Sequence, residues 1–293
     1  MPSWSEIITD VNLYSNVGIE LDKKREQYLT QIHSITGRNV IAYYSGWLKT
    51  PDAPHVSIDE QDKNAFMTTV YKLDKAKGLD LILHTPGGDI AATESIVTYL
   101  KSLFNGDVRA FIPQISMSAG TMIAMSCREI IMGEQSSLGP IDPQMGGIAC
   151  QAVIDEFKRA VNEVSANQAS LGLWQTIISK YHPTFLTACE NAVAWSAQLA
   201  EQWLKEVNPQ IDFDKIKNVF LNHNKSYSHS RHLSKQDCKN AGLNIVDLET
   251  NSDLQDAILS LHHCYMILFD KFPISKVVEN NIVGRYMQNY NAK

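Results

Sequence analysis

The chain has 293 residues, of which 44% are hydrophobic and 20% charged, and this balance is typical of a globular protein rather than a disordered one. Its formal net charge of -6 at pH 7 argues against a general nucleic-acid role, because phosphate binding needs a basic surface. No apolar run approaches the roughly 18 residues of a membrane-spanning helix, and the start lacks the layout of a signal peptide. Five widely spaced cysteines without a C-x-x-C pair indicate a reducing compartment, so a cytoplasmic protein is expected.

The first part of the chain alternates helix and strand signals. A helix is predicted over residues 21–37, ending at Gly37, and NVIAYYSGW follows as a strand. Ser57 and Glu60 stand at the spacing of a capping box, which predicts that the next helix starts there. LDLILH is a short apolar run suited to a strand that is buried on both faces. TPGGD breaks this strand, and IAATESIVTYLKSLF has one apolar helical face.

The alternation continues and then changes character. VRAFIP and EIIMG are predicted strands, and PQISMSAGTMIAMSC contains a helix between them. Strand and helix in alternation imply parallel pairing through right-handed crossovers. After about Gly147 the signals are mostly helical, and an amphipathic helix is predicted over residues 253–272. We therefore predict an α/β core with an N-terminal helix over residues 1–147 and a mostly helical extension, packed on that core, over residues 148–293.

The first motif with chemical content is HTPGGD. Gly87 and Gly88 follow a strand, and paired glycines at the carboxyl end of a strand let the backbone approach a ligand closely. A tight strand-to-helix turn would also favour these glycines. The motif is not a dinucleotide fingerprint, since G-x-G-x-x-G is absent. His84, just before it, either lines the site or is a buried core histidine.

The second motif places Ser118 before Ala119 and Gly120. If a helix begins here, the amide after Ser118 is free to stabilise an oxyanion, with a second donor from Gly87 or Gly88. The alternative is a close-packed helix in which Ser118 serves as the N-cap.

The third motif is SSLGPIDPQ, in which Asp142 stands between Ile141 and Pro143. A carboxylate in such a stiff loop could orient a histidine, as in a catalytic triad. The alternative is an aspartate that only turns the chain before proline.

Together these motifs resemble the Clp-fold serine peptidases, and most closely the serine dehydrogenase proteinase family. The resemblance is clear over residues 79–144 and weaker in TGRNVIAYYSG and around His229. It implies a Clp/crotonase-like spiral core of parallel βα units. It also implies Ser118 as the nucleophile, because SAGTMIA fits the family's serine helix and the sequence at Ser116 does not. The implied oxyanion hole is formed by amides of Gly87, Gly88 and Ala119, and the implied orienting carboxylate is that of Asp142.

The same resemblance implies a catalytic histidine ahead of a GL turn. His229 fits this position before Gly242, and His232 is a close rival. Lys158 is an alternative base in the manner of Ser–Lys hydrolases, although DEFKRAVNE is typical of a solvated helix face. His229 and His232, with His223 nearby, also suggest a metal cluster, but neither H-E-x-x-H nor a cysteine pair supports it, and no metal is expected.

The leading hypothesis is a serine-type peptidase that needs no cofactor and cleaves peptide or protein substrates. A homo-oligomer is expected, because the tryptophan-bearing helices of the second half could cover apolar edges of a Clp-like core. One alternative is a crotonase-like acyl-CoA enzyme, which also pairs two amides around a carbonyl oxygen. The other is a catalytically degenerate Clp-like scaffold that binds peptides.

Overall fold

The computed structural model describes residues 4–291. The α-helices α1 to α12 are Trp4–Asn12, Val17–Thr36, Gln61–Thr69, Ile90–Leu103, Ala119–Met125, Cys150–Ala166, Leu171–Ile178, Phe185–Val207, Phe213–Ile216, His223–Ser226, Lys235–Ala241 and Ser252–Lys271. The strands β1 to β12 are Asn39–Ser45, Leu79–His84, Val108–Ile112, Ile115–Ser116, Glu129–Met132, Ser137–Leu138, Gln144–Met145, Ile148–Ala149, Leu233–Ser234, Ile245–Asp247, Ile274–Asn280 and Arg285–Asn289. Short 3-10 turns lie at Lys75–Lys77, Gln168–Ser170 and Leu248–Thr250, and a π-turn at Lys217–Leu221.

The chain forms two compact units. The first takes the chain up to Leu138 and again from His232 onward, and the second is Gly139–Arg231. These limits differ from the single boundary predicted at residue 147. The predicted helical extension over 148–293 also needs correction, because the chain from residue 232 onward belongs to the first unit and supplies β10, β11 and β12 to the main sheet.

The main sheet of the first unit has the strand order β10-β5-β3-β2-β1-β11-β12. The strands from β10 to β1 are parallel neighbours, which confirms the pairing predicted from the alternation of strands and helices. β11 pairs antiparallel with β1, and β12 pairs antiparallel with β11. Since parallel strands end at one edge, the glycine motif after β2 and the serine stretch after β3 come to the same edge of the sheet.

Both faces of the central strands are buried. All of β1 is buried, as is all of β2. Val40, Ala42 and Tyr44 of β1 belong to the core cluster formed with α1, α2 and α12. Ile41 and Tyr43 point to the other face because side chains alternate along a strand, and they are equally buried. A second small sheet, β4-β6-β9, lies beside the serine stretch, with β4 parallel to β6 and β9 antiparallel to it.

The second unit begins with a loop and a hairpin. β7 and β8 are joined by Gly146 and Gly147, whose φ values of 59° and 79° suit a tight hairpin turn. α6 then packs on α8 through a small apolar cluster formed by Cys150, Val153, Ile154 and Cys189. The unit ends in α9, the π-turn and α10, followed by the segment that carries His229.

Several local predictions can be compared with the structure. Gly37 ends α2 in the left-handed conformation at φ 69°, as predicted. The predicted capping box is wrong: α3 begins at Gln61, and its N-cap, Glu60, makes no side-chain cap bond. The final helix was predicted correctly to within a residue at each end. Between residues 4 and 291, no helix is both long and apolar enough to cross a membrane.

Candidate active site

Ser118 occupies a strained turn between β4 and α5. Its backbone has φ 49° and ψ -119°, a conformation that costs a non-glycine residue roughly 1–3 kcal/mol. Its side chain makes no N-cap hydrogen bond, so the interpretation of Ser118 as a simple helix cap is not supported. Ser118 is partly exposed, whereas Ser116 is completely buried. In α/β-hydrolases, the nucleophilic serine likewise sits on a strained turn between a strand and a helix.

The small residues after Ser118 are required by close packing. A Cβ on Gly120 would clash with Cγ2 of Thr85 and would stand 2.5 Å from Oγ of Ser116. Met117 donates its amide to the Thr85 carbonyl at 3.0 Å, which joins this turn to the end of β2. The crowding therefore fixes the serine turn against the residues that lead into the glycine motif.

The paired glycines lie directly against the serine turn. Gly87 has φ 93°, and a Cβ on it would stand 2.7 Å from both the Met117 carbonyl oxygen and Cβ of Ser118. The same Cβ would lie 2.8 Å from the amide nitrogen of Ala119. Gly88 has φ 157° and faces the backbone of Ile58, with which a Cβ would clash. Both glycines are therefore needed for close backbone approach, in addition to making a turn.

Two amides near Ser118 are available to a ligand. Within the part of the chain that the structure describes, neither the Gly88 N–H nor the Ala119 N–H has a hydrogen-bond acceptor. The Gly87 N–H, in contrast, lies 3.2 Å from Oγ1 of Thr85. Gly88 is exposed and Ala119 is buried. An N–H without an acceptor in the protein can donate to the carbonyl or oxyanion of a bound ligand.

A buried ion pair holds the segment that supports the glycines. Ile58 donates its amide to the Gly87 carbonyl at 2.8 Å. Lys276 of β11 contacts the two carboxylate oxygens of Asp62 at 2.7 and 2.8 Å and donates to the Ser57 carbonyl at 2.9 Å. These bonds tie the Ser57 carbonyl to Lys276 and place Ile58 in a β-bridge with Gly88, so the backbone at these residues is engaged outside a helix and no helix starts at Ser57.

His84 is a core residue and does not serve the serine. It is completely buried, and burial lowers its pKa to about 4, so the ring is neutral near pH 7. Nδ1 lies 3.3 Å from the Ser45 carbonyl oxygen and Nε2 lies 3.2 Å from Oε1 of Gln114. The ring stacks on Tyr44 and packs against Trp47. The structure favours the core interpretation of this histidine.

Asp142 of the second unit is the acceptor for two histidines. Its side chain is 1% exposed, and Oδ1 lies 2.8 Å from Nδ1 of His229. Oδ2 lies 2.9 Å from Nδ1 of His223 and also accepts from the Gln144 amide at 2.9 Å. The residue before it, Ile141, is fixed by a 2.7 Å bond from its amide to the Phe220 carbonyl. Asp142 therefore does more than turn the chain before proline.

The two alternative bases are placed differently. His232 lies in the first unit, where its Nδ1 is 3.0 Å from Oγ of Ser137. Lys158 is exposed on α6. The structure thus brings His229 to Asp142, whereas Lys158 of the same unit lies on an exposed helix face.

Two partners of Asp142 were missed as site residues by the sequence analysis. His223 was noted only as part of a suggested metal cluster, and Gln144 only as a letter of the DPQ motif. Gln144 stands two residues after Asp142, so its bond to the carboxylate could have been predicted from the sequence. His223 is 81 positions away in the chain, so no local pattern links the two. Among residues 4–291, no group of three or more metal-ligating side chains is found.

Comparisons with known proteins identify the family of the chain. Residues 17–177 match the family model described as ClpP-like SDH-type serine proteinase. The chain is 35% identical over 109 residues to the uncharacterized protein MJ0137 of Methanocaldococcus jannaschii, an alignment covering 37% of this chain and 36% of that protein. It is 29% identical over 147 residues to the uncharacterized protein MJ1495 of the same organism, covering 48% of this chain and 49% of that protein.

The chain thus spans half the length or less of the curated relatives it matches. The family match is broader. It extends from the start of α2 into the last turn of α7 and includes the glycine loop, Ser118 and Asp142, while His223 and His229 lie beyond it. Because this region makes up more than half of the 293 residues, the chain belongs to the family of ClpP-like SDH-type serine proteinases.

Proposed function

We propose that the protein is a serine peptidase with Ser118 as its nucleophile. The observation that carries this proposal is the strained, partly exposed backbone turn at Ser118, whose hydroxyl is not used as a helix cap. Strain of this kind persists only where the surrounding structure imposes it, and it concentrates at functional sites. Membership of a serine proteinase family supports the same reaction class.

In the proposed mechanism, Oγ of Ser118 attacks the carbonyl carbon of a peptide bond while His229 takes the hydroxyl proton. His229 then gives that proton to the departing amine, and water hydrolyses the acyl-enzyme by the reverse sequence. Nδ1 of His229 is engaged with Asp142, so Nε2 is the nitrogen that accepts the proton. Asp142 holds the ring and stabilises its charged form.

The proposed oxyanion hole uses the amides of Ala119 and Gly88. Each preorganised donor of this kind lowers the barrier by roughly 3–4 kcal/mol. Gly87, the third residue considered, contributes mainly by close packing, because its N–H lies near Oγ1 of Thr85. We further propose that the first unit has the spiral arrangement of Clp and crotonase-like proteins.

The crotonase-like alternative requires a carboxylate near the carbonyl-binding amides. Asp89, the carboxylate of the glycine motif, is already used as the N-cap of α4, accepting from the Ala92 amide at 2.8 Å. This observation favours hydrolysis over acyl-CoA chemistry. A degenerate scaffold is disfavoured by the strained Ser118, since a serine that only packs has no need of that backbone.

Labelling with a fluorophosphonate probe, followed by identification of the modified residue, tests the proposal. We expect modification of Ser118 and its loss in Ser118→Ala. Modification of Ser116, or undiminished labelling of the alanine variant, would overturn the assignment. Hydration of an enoyl thioester without any labelling would favour the crotonase alternative. Peptide binding without labelling and without thioester hydration would favour a catalytically degenerate, peptide-binding scaffold.

We also propose that the enzyme needs no cofactor, acts in the cytoplasm and forms a homo-oligomer. All five cysteines are free and buried, which is compatible with a reducing compartment. Exposed apolar side chains on the second unit, including Val161 and Leu173, offer surface for subunit contacts. Light scattering that shows only a 32.8 kDa particle at micromolar concentration would contradict the oligomer.

A further inference from the structure

Asp142 has more hydrogen-bond partners than orienting one imidazole requires. Its Oδ1 serves His229, and its Oδ2 serves both His223 and Gln144, at 2.8, 2.9 and 2.9 Å respectively. The carboxylate is 1% exposed, whereas the two imidazoles are 23% and 27% exposed. A buried carboxylate is tolerated only when donors satisfy its oxygens, so His223 supplies part of what keeps it in place.

We propose that His223 is a positioning residue for catalysis, acting through Asp142 on His229. The inference rests on the proposed function, because it assumes that His229 is the base. Without His223, Oδ2 would keep only the Gln144 side-chain amide, which lies two residues along the same loop and would move with Asp142 if the carboxylate rotated about its last side-chain bond. The bond from His223 to Oδ2 opposes this rotation, and the plane of the carboxylate sets the direction in which His229 is held.

The placement of His223 suits this role. It begins α10, and its carbonyl accepts the Tyr227 amide at 2.9 Å and the Ser226 hydroxyl at 3.2 Å. These bonds fix its backbone within the short segment that leads to His229. The same segment thus places two imidazoles against one carboxylate. His229 bonds Oδ1, and His223 shares Oδ2 with Gln144.

Two substitutions of His223 distinguish a role in positioning Asp142 from a role in stability alone. The amide nitrogen of Asn reaches nearly the position of Nδ1 of histidine, so His223→Asn keeps a donor to Oδ2 while removing the imidazole. His223→Ala removes the donor. We expect the alanine variant to lose about 10–100-fold in the rate of fluorophosphonate labelling, as partners that orient a functional group typically do. We expect the asparagine variant to remain within about threefold of wild type.

A spectroscopic measurement tests the bond directly. In proton NMR of the full chain with labelled histidines, each imidazole N–H donated to the buried carboxylate should give a low-field resonance. We expect His223→Ala to remove one such resonance and to shift the one from His229. Asp142→Asn should remove both. His182→Ala, at an exposed histidine of the same unit, is the matched control and should change neither the spectrum nor the labelling rate.

The outcomes separate this inference from the proposed function. Unchanged labelling and an unshifted His229 resonance in His223→Ala overturn the positioning role while leaving Ser118 and His229 in place. A loss near 10³-fold in His223→Ala, with His229→Ala nearly neutral, overturns it as well and makes His223 the base. If Ser118 is never labelled in wild type, the proposed function itself fails.

Discussion

Gly87 and Ser118 are in direct contact, so that a Cβ on the glycine would stand only 2.7 Å from Cβ of the serine. The contact joins the turn after β2 to the turn after β4. Neither turn has room to move independently of the other. Predictions about the nucleophile and about the glycines are therefore linked.

Replacing Gly88 with alanine should disrupt the site. The new methyl group would clash with the backbone of Ile58, which cannot move aside as a flexible side chain could. We expect a loss of more than about 2 kcal/mol in the free energy of unfolding and no fluorophosphonate labelling. Gly172→Ala is the control: it lies in α7 with open space around it, and alanine there should stabilise by roughly 0.5–1 kcal/mol. Equal effects of the two substitutions, measured by urea unfolding, would refute this account.

Ser118→Gly and Ser118→Ala should differ in stability although both lack the hydroxyl. Glycine adopts the backbone of φ 49° and ψ -119° without the cost that alanine incurs. We expect the glycine variant to be more stable than the alanine variant by about 1 kcal/mol. Thermal unfolding of the two proteins measures this directly. Should the alanine variant be the more stable, the turn is not strained in the way described here.

His229→Ala should reduce peptidase activity by at least about 10³-fold, as loss of a triad member typically does. His232→Ala should cost much less, because Nδ1 of His232 is already bonded to Oγ of Ser137. Lys158→Ala should be nearly neutral, since that side chain is exposed on a helix. Steady-state kinetics of the three variants decide the base. If Lys158→Ala is inactive while His229→Ala remains active, the protein is a Ser–Lys hydrolase.

Stability should fall as the pH drops, in part because of His84. Burial lowers its pKa to about 4 in the folded protein, below the ordinary value of 6.5. Between these values the unfolded chain binds a proton that the folded protein does not, so stability that is complete above pH 6.5 is lost toward pH 4. The loss from this group is about 3 kcal/mol. Urea unfolding across this range should show a shallower pH dependence for His84→Gln, and an identical dependence would contradict the assignment.

Lys276→Met should strongly destabilise the protein. It leaves the Asp62 carboxylate buried without its cation, a change that typically costs about 3–5 kcal/mol. The matched control is Lys49→Met, because the ion pair of Lys49 with Asp270 is exposed and screened by water. We expect denaturant unfolding to show no clear change for the control. If both variants lose a similar free energy of unfolding, burial of the Lys276–Asp62 pair is not the cause of the destabilisation.

Local signals accounted for most of the first half of the fold. The apolar run of β2, the glycine that ends α2 and the regular alternation of strands and helices each depend on neighbours in sequence, and each was predicted. The capping box failed because the Ser57 carbonyl is bonded to Lys276 and the Ile58 amide to Gly87, and both of these partners lie outside the local sequence. β11 was missed for a related reason: its place beside β1 depends on pairing across more than two hundred residues.

By itself, the sequence determined that a paired-glycine turn follows one strand of the parallel sheet and that a small-residue stretch with Ser118 lies between the next two predicted strands, since periodicity and turn chemistry are local properties. Only the tertiary structure decided that Gly88 and Ala119 keep free amides while Gly87 does not, because this depends on Thr85 and Ile58 packing against the loop. It likewise decided that Asp142 bonds both His223 and His229, and that His232 bonds Ser137. Hydrogen bonds between residues some eighty positions apart are set by how the chain packs, and no spacing in the sequence encodes them.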